Sequence, residues 1–442
     1  MSREDSLDTL GRTVDYALDV ARAAGADKAA VAVSRTLTRR VQVYQRDIES
    51  IRETTRSVLV ISALKGQRHG RTMVASLREP DIRAGVERAC AIAAFADPDP
   101  WIDLPDPDSH PVDFPDLGIW QPEPRSIEAL SEHLLAAADR GLDAADAGAQ
   151  LSRFGIESSA AQSVLGTSRG FRGRERAAIH TAFAEWLERS ESGAQKFFDS
   201  WSFRPPIAST SLDALLAHCR SRARSLLGAR PIATARCRVL FSDAAASFLF
   251  HAVINALMGS LHVHRRSFLS GCLDQPILPE GIDVVDEARL PGGLASSNFD
   301  NEGVATGRTV LFRDGRLASL LLASQSARRL GLRSTGHASG VYNVLLGGDH
   351  SETEQCQALD TGLYVLRLHG GLPDPTRPEF SLGASGYWVE NGRIRHPVDG
   401  ITVAGNLRQL LASMSVLGQH SPYRPKVSIG AMLVPELMVA GT

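Results

Sequence analysis

The spacing of apolar positions changes character along the chain, and each change marks an element. Leu7, Leu10, Val14, Leu18 and Ala21 fall on one helical stripe, and Gly25 stands where a C-terminal cap belongs. Extended runs follow at Ala29–Val33, Arg40–Tyr44 and Ser57–Leu64, with Gly66 and Gly70 read as turn residues before Thr72–Ala75. Pro80 then introduces a second helix, roughly Asp81 to Phe95. Helix, short strands and helix in this order predict a small α+β unit with a largely antiparallel sheet.

The next stretch breaks the pattern. Eight of the chain's 22 prolines lie between Pro98 and Pro124, and so dense a run removes backbone donors and fixes φ, which excludes helix and central strand. An extended linker is expected there. Ser126 opens a helix to about Asp139, two or three strands follow from Gln150 to Ser202, and a helix near Ser211–Leu227 ends before a boundary at Gly228-Ala-Arg-Pro-Ile. From Ala235 a short strand leads into an apolar helix, Asp243 to Leu261. Beyond it lie short β runs, many glycines and the dipeptides Asp314-Gly315 and Asn391-Gly392, each suited to a type I′ hairpin. The layout is 1–97 N-terminal α+β, 98–125 linker, 126–230 middle α+β, and 231–442 β-rich with one buried helix. The fold class is α+β with mostly antiparallel sheet.

Composition narrows the function. Forty-eight Lys+Arg balance 50 Asp+Glu for a formal charge of −2, so no basic face points to nucleic acid. Only four of the basic residues are lysines, which reads as base-composition bias and makes the many arginines weak evidence for a phosphate site. No run approaches the ~20 apolar residues of a membrane span, and the charged start MSREDSLDTLGR lacks the apolar core of a signal peptide. A cytoplasmic protein with no membrane partner is expected. Five cysteines (Cys90, Cys219, Cys237, Cys272, Cys356) are scattered without a C-x-x-C pair, so neither a disulfide framework nor a zinc ribbon is implied.

Three patterns carry candidate chemistry. Gly166-Thr-Ser-Arg-Gly170 matches G-x-S-x-G, but a nucleophile elbow needs a helix directly after it, and FRGRERAAIHTAFAEW reads as strand; a hairpin turn is expected. His251, His262 and His264 lie on and after the apolar helix. A helical zinc-peptidase site needs a second histidine about one turn away and a glutamate beside the bound water, and HAVINALMG supplies neither. His251 therefore reads as a hydrogen-bonded core histidine. The competing possibility is a remodelled metal-dependent hydrolase site from His251, His262 and His264 with Asp243 or Asp274. Glycine-rich segments around His337 and Gly340, and from Phe380 to Leu407 (Gly383, Ser385, Gly386, Asn406), fit a groove where an extended peptide adds as a strand, and equally fit tight β packing.

The runs LASSNFDNEGVATGRTVLFRDGRL, SARRLGLRSTGHASGVYN and GYWVENGRIRHPVDGITVAGNL, with the closing LVPELMVAGT, resemble the TldE (PmbA) branch of the TldD/PmbA metallopeptidase family. The likeness extends over nearly the whole chain and is most specific in its last 200 or so residues. It implies a cytosolic assembly in which a TldE chain pairs with a TldD chain as a heterodimeric zinc peptidase. That assembly acts on small or unfolded peptides, including peptide antibiotics under maturation and antitoxins under turnover. The resemblance also implies that TldD carries H-E-x-x-x-H on the helix and a later cysteine. Laid on this sequence, His251 keeps the first position, Ala252 and Ala256 take those of the glutamate and second histidine, and the cysteine position falls near Ile429. One ligand cannot hold zinc where about three are needed. The expectation is a non-catalytic subunit with no cofactor of its own, zinc residing in the TldD-like partner; a homodimeric peptide-binding module is the remaining alternative. In GGLPDPTRPEFS the family's G-D-Y-S loop is altered: Ser381 persists, while Glu379 and Phe380 replace Asp and Tyr.

Overall fold

A computed structural model describes residues 7–146, 148–191 and 193–441. In chain order the first half runs α1 (Leu7–Ala23), β1 (Lys28–Tyr44), β2 (Asp47–Lys65), β3 (Arg68–Val74) and α2 (Glu79–Phe95). After the proline-rich segment come α3 (Ile127–Asp143), β4 (Ala149–Thr167), β5 (Arg172–Ser190), β6 (Gly193–Phe203) and α4 (Ser209–Ser225). The fold is α+β with mostly antiparallel sheet, as the patterning predicts. Two details differ. The predicted runs 29–33 and 40–44 are one 17-residue strand, because Arg35–Arg39 between them is paired on both sides, to β2 and to β4. Gly70 is a strand residue rather than a turn: a Cβ there would lie 1.9 Å from the Ala89 carbonyl, so its absence lets α2 lie directly on β3.

The segments 1–97 and 126–230 share one six-stranded sheet, β3-β2-β1-β4-β5-β6, joined where β1 pairs β4 from Ala30↔Thr167 to Val43↔Phe154. One face carries all four long helices. Val31, Val33, Leu59 and Ile61 bury against α1 and α2, while Val41, Phe154, Ile156 and Trp186 bury against α3 and α4. On the opposite face, alternation presents small side chains: Ala30, Ala32 and Ser34 beside Ser159, Ala161 and Ser163.

The second half comprises β7 (Ala235–Phe241), α5 (Asp243–Ala256), α6 (Gly259–Val263), β8 (Val284–Glu287), β9 (Arg308–Arg313), β10 (Arg316–Leu317), α7 (Ser324–Leu330), β11 (Asn343–Leu346), α8 (Glu352–Leu359) and β12 (Gly362–His369). It ends with β13 (Glu379–Glu390), β14 (Arg393–Asn406), α9 (Leu407–Ser413), β15 (Ser415–Val416), β16 (Lys426–Ile429) and β17 (Met432–Ala440). The sheet β14-β13-β12-β7-β17 closes on itself through β14–β17 pairing at Val403↔Val439, making a barrel; β10-β9-β8-β11-β16 forms a second sheet. Both predicted hairpins are present with φ > 0 at Asp314, Gly315, Asn391 and Gly392. The predicted long apolar helix divides at Leu257–Met258. Gly259 donates to Leu321 of another segment, and His262 Nε2–H donates to the Ala256 carbonyl at 2.8 Å, the acceptor a continuing helix would have used.

Polar contacts lock the halves together. Arg204, just past β6, donates to the carbonyls of Gly293 (2.7 and 2.9 Å) and Ala178 (2.6 Å). Asp199 on β6 accepts both terminal nitrogens of Arg424 at 2.8 and 3.2 Å, and Trp201 stacks on Tyr423 at 4.5 Å. The proline-rich segment is extended except at Pro107–Ser109, where, against the expectation, it makes one 3-10 turn with proline at its first position, and it is pinned rather than loose. Asp103 takes Lys28 and Arg169 at 2.7 Å each, and Arg328 on α7 donates to the carbonyls of Asp103 and Leu104.

Burial alone would raise the Asp199 carboxyl, but His218, the charge and hydrogen bonds of Arg424, and the Ser200 N–H outweigh it and hold its pKa well below the ordinary carboxylate value. The stabilisation this supplies is therefore present above the unfolded pKa of about 3.9 and is lost as pH falls below it. Denaturant unfolding of Asp199→Ala is expected to show a loss of about 3–5 kcal/mol at pH 7, with a shallower decline between pH 4 and pH 2 than in the parent chain.

Candidate functional site

Helix α5 is apolar on nearly every side and caps itself at Ser242, whose hydroxyl accepts from the Ala245 N–H. Ala244, Phe248, His251 and Asn255, spaced by four, three and four, form its less buried stripe, so His251 looks outward. Burial lowers its pKa and the nearby Lys426 ammonium lowers it further, leaving a neutral imidazole at pH 7. Ala252 and Ala256 point the other way and are fully enclosed. Strand β16 lies along the helix: the Ser247 hydroxyl accepts from the Ile429 N–H at 2.9 Å and donates to its carbonyl at 3.3 Å. Ile429, also fully enclosed, belongs to the same apolar core as Ala252 and Ala256.

Ala252, Ala256 and Ile429, which the resemblance aligns with metal-holding and activating residues, are all enclosed in one apolar core and present only methyl and butyl groups. The donor set does not fit zinc. The remodelled alternative does not assemble either. His262 is buried and spent on Ala256, His264 is exposed beyond α6, Asp274 lies in a turn, and Asp243 opens α5 beside Arg424. Among the described residues no group of three or more His, Cys, Asp or Glu is gathered as metal ligands would be. The Gly166–Gly170 segment is a hairpin turn between β4 and β5, without the helix a nucleophile elbow requires.

The glycine-rich candidates divide between two places. Gly383, Ser385 and Gly386 lie on β13, which is hydrogen-bonded to β12 on one side and β14 on the other, so no free edge exists there for a peptide strand. A Cβ at Gly386 would meet the Tyr364 carbonyl at 1.9 Å, Ser385 meets His369 at 3.1 Å, and Asn406 caps α9 through the Arg408 and Gln409 N–H groups. His337 is 1% exposed, its Nε2 3.1 Å from the buried Asp286 carboxylate, which also accepts from the Tyr342 and Asn343 N–H groups. Its role is to fix the segment 336–343. Gly340, at φ +81°, turns the chain into β11.

That segment nonetheless borders an opening. A cleft of about 970 Å³ lies between the small-residue face of the first sheet and loops of the second half, with Ala338–Ser339, Val341–Tyr342, Leu294–Ser297, Phe299–Glu302, Lys426 and the proline-rich residues 102–105 on its walls. Its floor carries Ala30, Ala32, Ser34, Ser163 and Ala161, and Glu175, Asp300 and Arg204 reach into its lining. Burial pushes the Glu175 carboxyl up against the opposing hydrogen bonds from Ser297 and Asn298. Burial likewise pushes Asp300 up to about 6 despite three backbone N–H donors. Motif reading missed these residues. The signal available was the period-2 run of Ala and Ser in β1 and β4, a strand face too small to form a core and so shaped to leave room.

A family model described as the PmbA/TldA metallopeptidase C-terminal domain matches residues 234–441. A protein named metalloprotease PmbA from Escherichia coli is 30% identical over 439 residues, 98% of this chain and 96% of that protein. A Bacteroides thetaiotaomicron crystal structure, described as a proposed modulator of DNA gyrase, superposes with a TM-score of 0.89 at 20% identity, over 98% of this chain and 99% of that one. TldE from Thermococcus kodakarensis gives 0.84 at 19% identity, over 97% and 100%.

Two measurements check the site. By NMR titration His251 should have a pKa below the free value of about 6.5, and Lys426→Met should raise it, since a neighbouring cation disfavours imidazolium. Gly386→Ala should cost about 1–3 kcal/mol in urea unfolding, because the new methyl must displace backbone of β12.

Proposed function

The chain belongs to the PmbA/TldD metallopeptidase family, and from that membership we propose that it is a TldE-like subunit without a catalytic centre of its own. In this reading it pairs with a TldD-like chain that carries the zinc, in a cytoplasmic heterodimeric peptidase acting on small or unfolded peptides. Peptide-antibiotic maturation and antitoxin turnover are the processes it would serve. The observation that carries the reading is the set Ala252, Ala256 and Ile429: each is fully enclosed in one apolar core, and His251 alone retains a ligand-type side chain beside them. A buried methyl offers neither a lone pair to a metal nor a base to a water.

The chain's own contribution is then steric and electrostatic. The cleft of about 970 Å³ is of a size for a few residues of extended chain and excludes a folded domain, which suits selection of unfolded substrates. Its mixed lining, with Lys426 and Arg204 opposed to Glu175 and Glu302, suits main-chain polar groups rather than one side-chain type.

The test is co-expression with a TldD-like chain. The two should co-purify, the isolated chain should bind less than 0.1 equivalent of zinc (roughly one metal-loaded molecule in ten) and cleave no unfolded peptide, and the complex should cleave it. Peptidase activity of the isolated chain that persists in His251→Ala would overturn the reading.

A further inference from the structure

The other end of α5 borders a second cavity, of about 360 Å³, a volume in the range of small-molecule pockets. The cavity extends from the Asp243 end of the helix, about 12 Å along its axis from His251, to Phe248 on the same stripe. Its walls come from both halves of the molecule: Phe198 and Trp201 of β6, Phe248 of α5 and Tyr423 give aromatic surface, and Arg367 of β12 gives charge.

The charges around it can be accounted for one by one. Arg222 is held bidentate by Glu352 at 2.9 and 3.1 Å. Arg424 is held by Asp199, whose oxygens also accept from the Ser200 N–H and Trp201 Nε1–H and face His218 at 3.4 Å. Asp243, at the rim, is 3.8 Å from Arg424 Nε and 37% exposed. Arg367 differs. Its guanidinium donates to the Phe198 carbonyl at 2.9 Å and rests over the rings of Phe197 and Phe198 at 5.4 and 5.9 Å, and no described carboxylate forms an ion pair with it. A largely buried guanidinium with aromatic faces on one side and an open cavity on the other retains donors in the fork geometry that fits a carboxylate. Burial lowers the pKa of Arg367, and the charge of Asp199 on the same cavity wall opposes that shift.

We propose that this cavity binds a monocarboxylate carried on an aryl or other apolar body, with the carboxylate on Arg367 and the body against Trp201, Tyr423 and Phe248. Asp199 and Asp243 set the specificity: they repel a second negative charge, so dicarboxylates and phosphate esters are disfavoured. The guanidinium, unlike an ammonium, stays charged over the whole accessible pH range, so binding follows the ionisation of the ligand.

The experiment uses the full chain with N-acetyl-L-phenylalanine and its amide, followed by calorimetry and by the Arg367 Nε–H signal in NMR. The acid should bind at least tenfold more tightly than the amide and shift that signal. Arg367→Gln should abolish the preference, whereas Arg367→Lys should retain part of it. A tripeptide acid ending in phenylalanine separates the two sources of such a group: it binds where the cavity takes peptide C-termini and fails where it takes small free acids. Equal binding of acid and amide, no binding of the acid, or an unshifted Arg367 signal in the unsubstituted chain overturns the proposal, whether or not the Arg367 variants fold.

Discussion

Helix α5 has almost no face that water can accept. A helix apolar all round is stable only when enclosed, and the second half of the molecule is arranged to enclose it. Strands β12 and β16 pack along it, Leu321 closes its far end through backbone bonds to Leu257 and Gly259, and the closed barrel supplies Val365, Leu382 and Val403 to the same core. The hydroxyl of Ser247 binds both backbone groups of Ile429 and ties β16, itself paired in parallel with β11, to the helix. Ala252, Ala256 and Ile429 are all members of that packed interior.

The contact between the halves follows a different rule. Apolar side chains of both halves share one core, Leu216 and Leu226 of the first with Leu240, Leu359 and Val389 of the second, and hydrogen bonds across the same contact add direction to it. Arg204 and Asp199 each carry several bonds across it, and a buried polar group with directional partners tolerates few alternative placements. The proline-rich strap adds to this. Proline removes N–H donors but keeps carbonyls, so a strap of this composition has acceptors to spare, and Arg39, Arg169 and Arg328 fill them at Glu123, Arg125, Leu104, Pro105 and Asp103. These three arginines thus act as mortar for backbone oxygens.

Local patterning foretold the elements that local physics controls. Gly25, Pro80, Ser126 and the two Asx-Gly dipeptides each sit where their backbone preferences place them, and the hairpins follow. What patterning missed was long-range. The unbroken length of β1 depends on partners in β2 and β4, and Gly70 and Gly386 are small because another segment's backbone occupies their Cβ positions, not because the chain turns. The family motifs mark the C-terminal half, and what they could not show is that Gly386 lies against the Tyr364 carbonyl and His337 against the Asp286 carboxylate. The cleft escaped motif reading because it is built from what β1 and β4 lack.

The barrel carries one more consequence, in folding order. Strand β7, which opens the second half, pairs in parallel with β12 and antiparallel with β17, placing Val239 opposite both Leu363 and Val434. Its partners arrive only after most of the intervening chain has been made. A fold of such high contact order pays loop-closure entropy before its contacts form. Until β17 is in place, β7 and β14 each present a bare edge able to pair with a neighbouring molecule. The vulnerable moment for this protein is thus the nearly complete nascent chain, which calls for rapid closure or for chaperone shelter more than for a sturdier core.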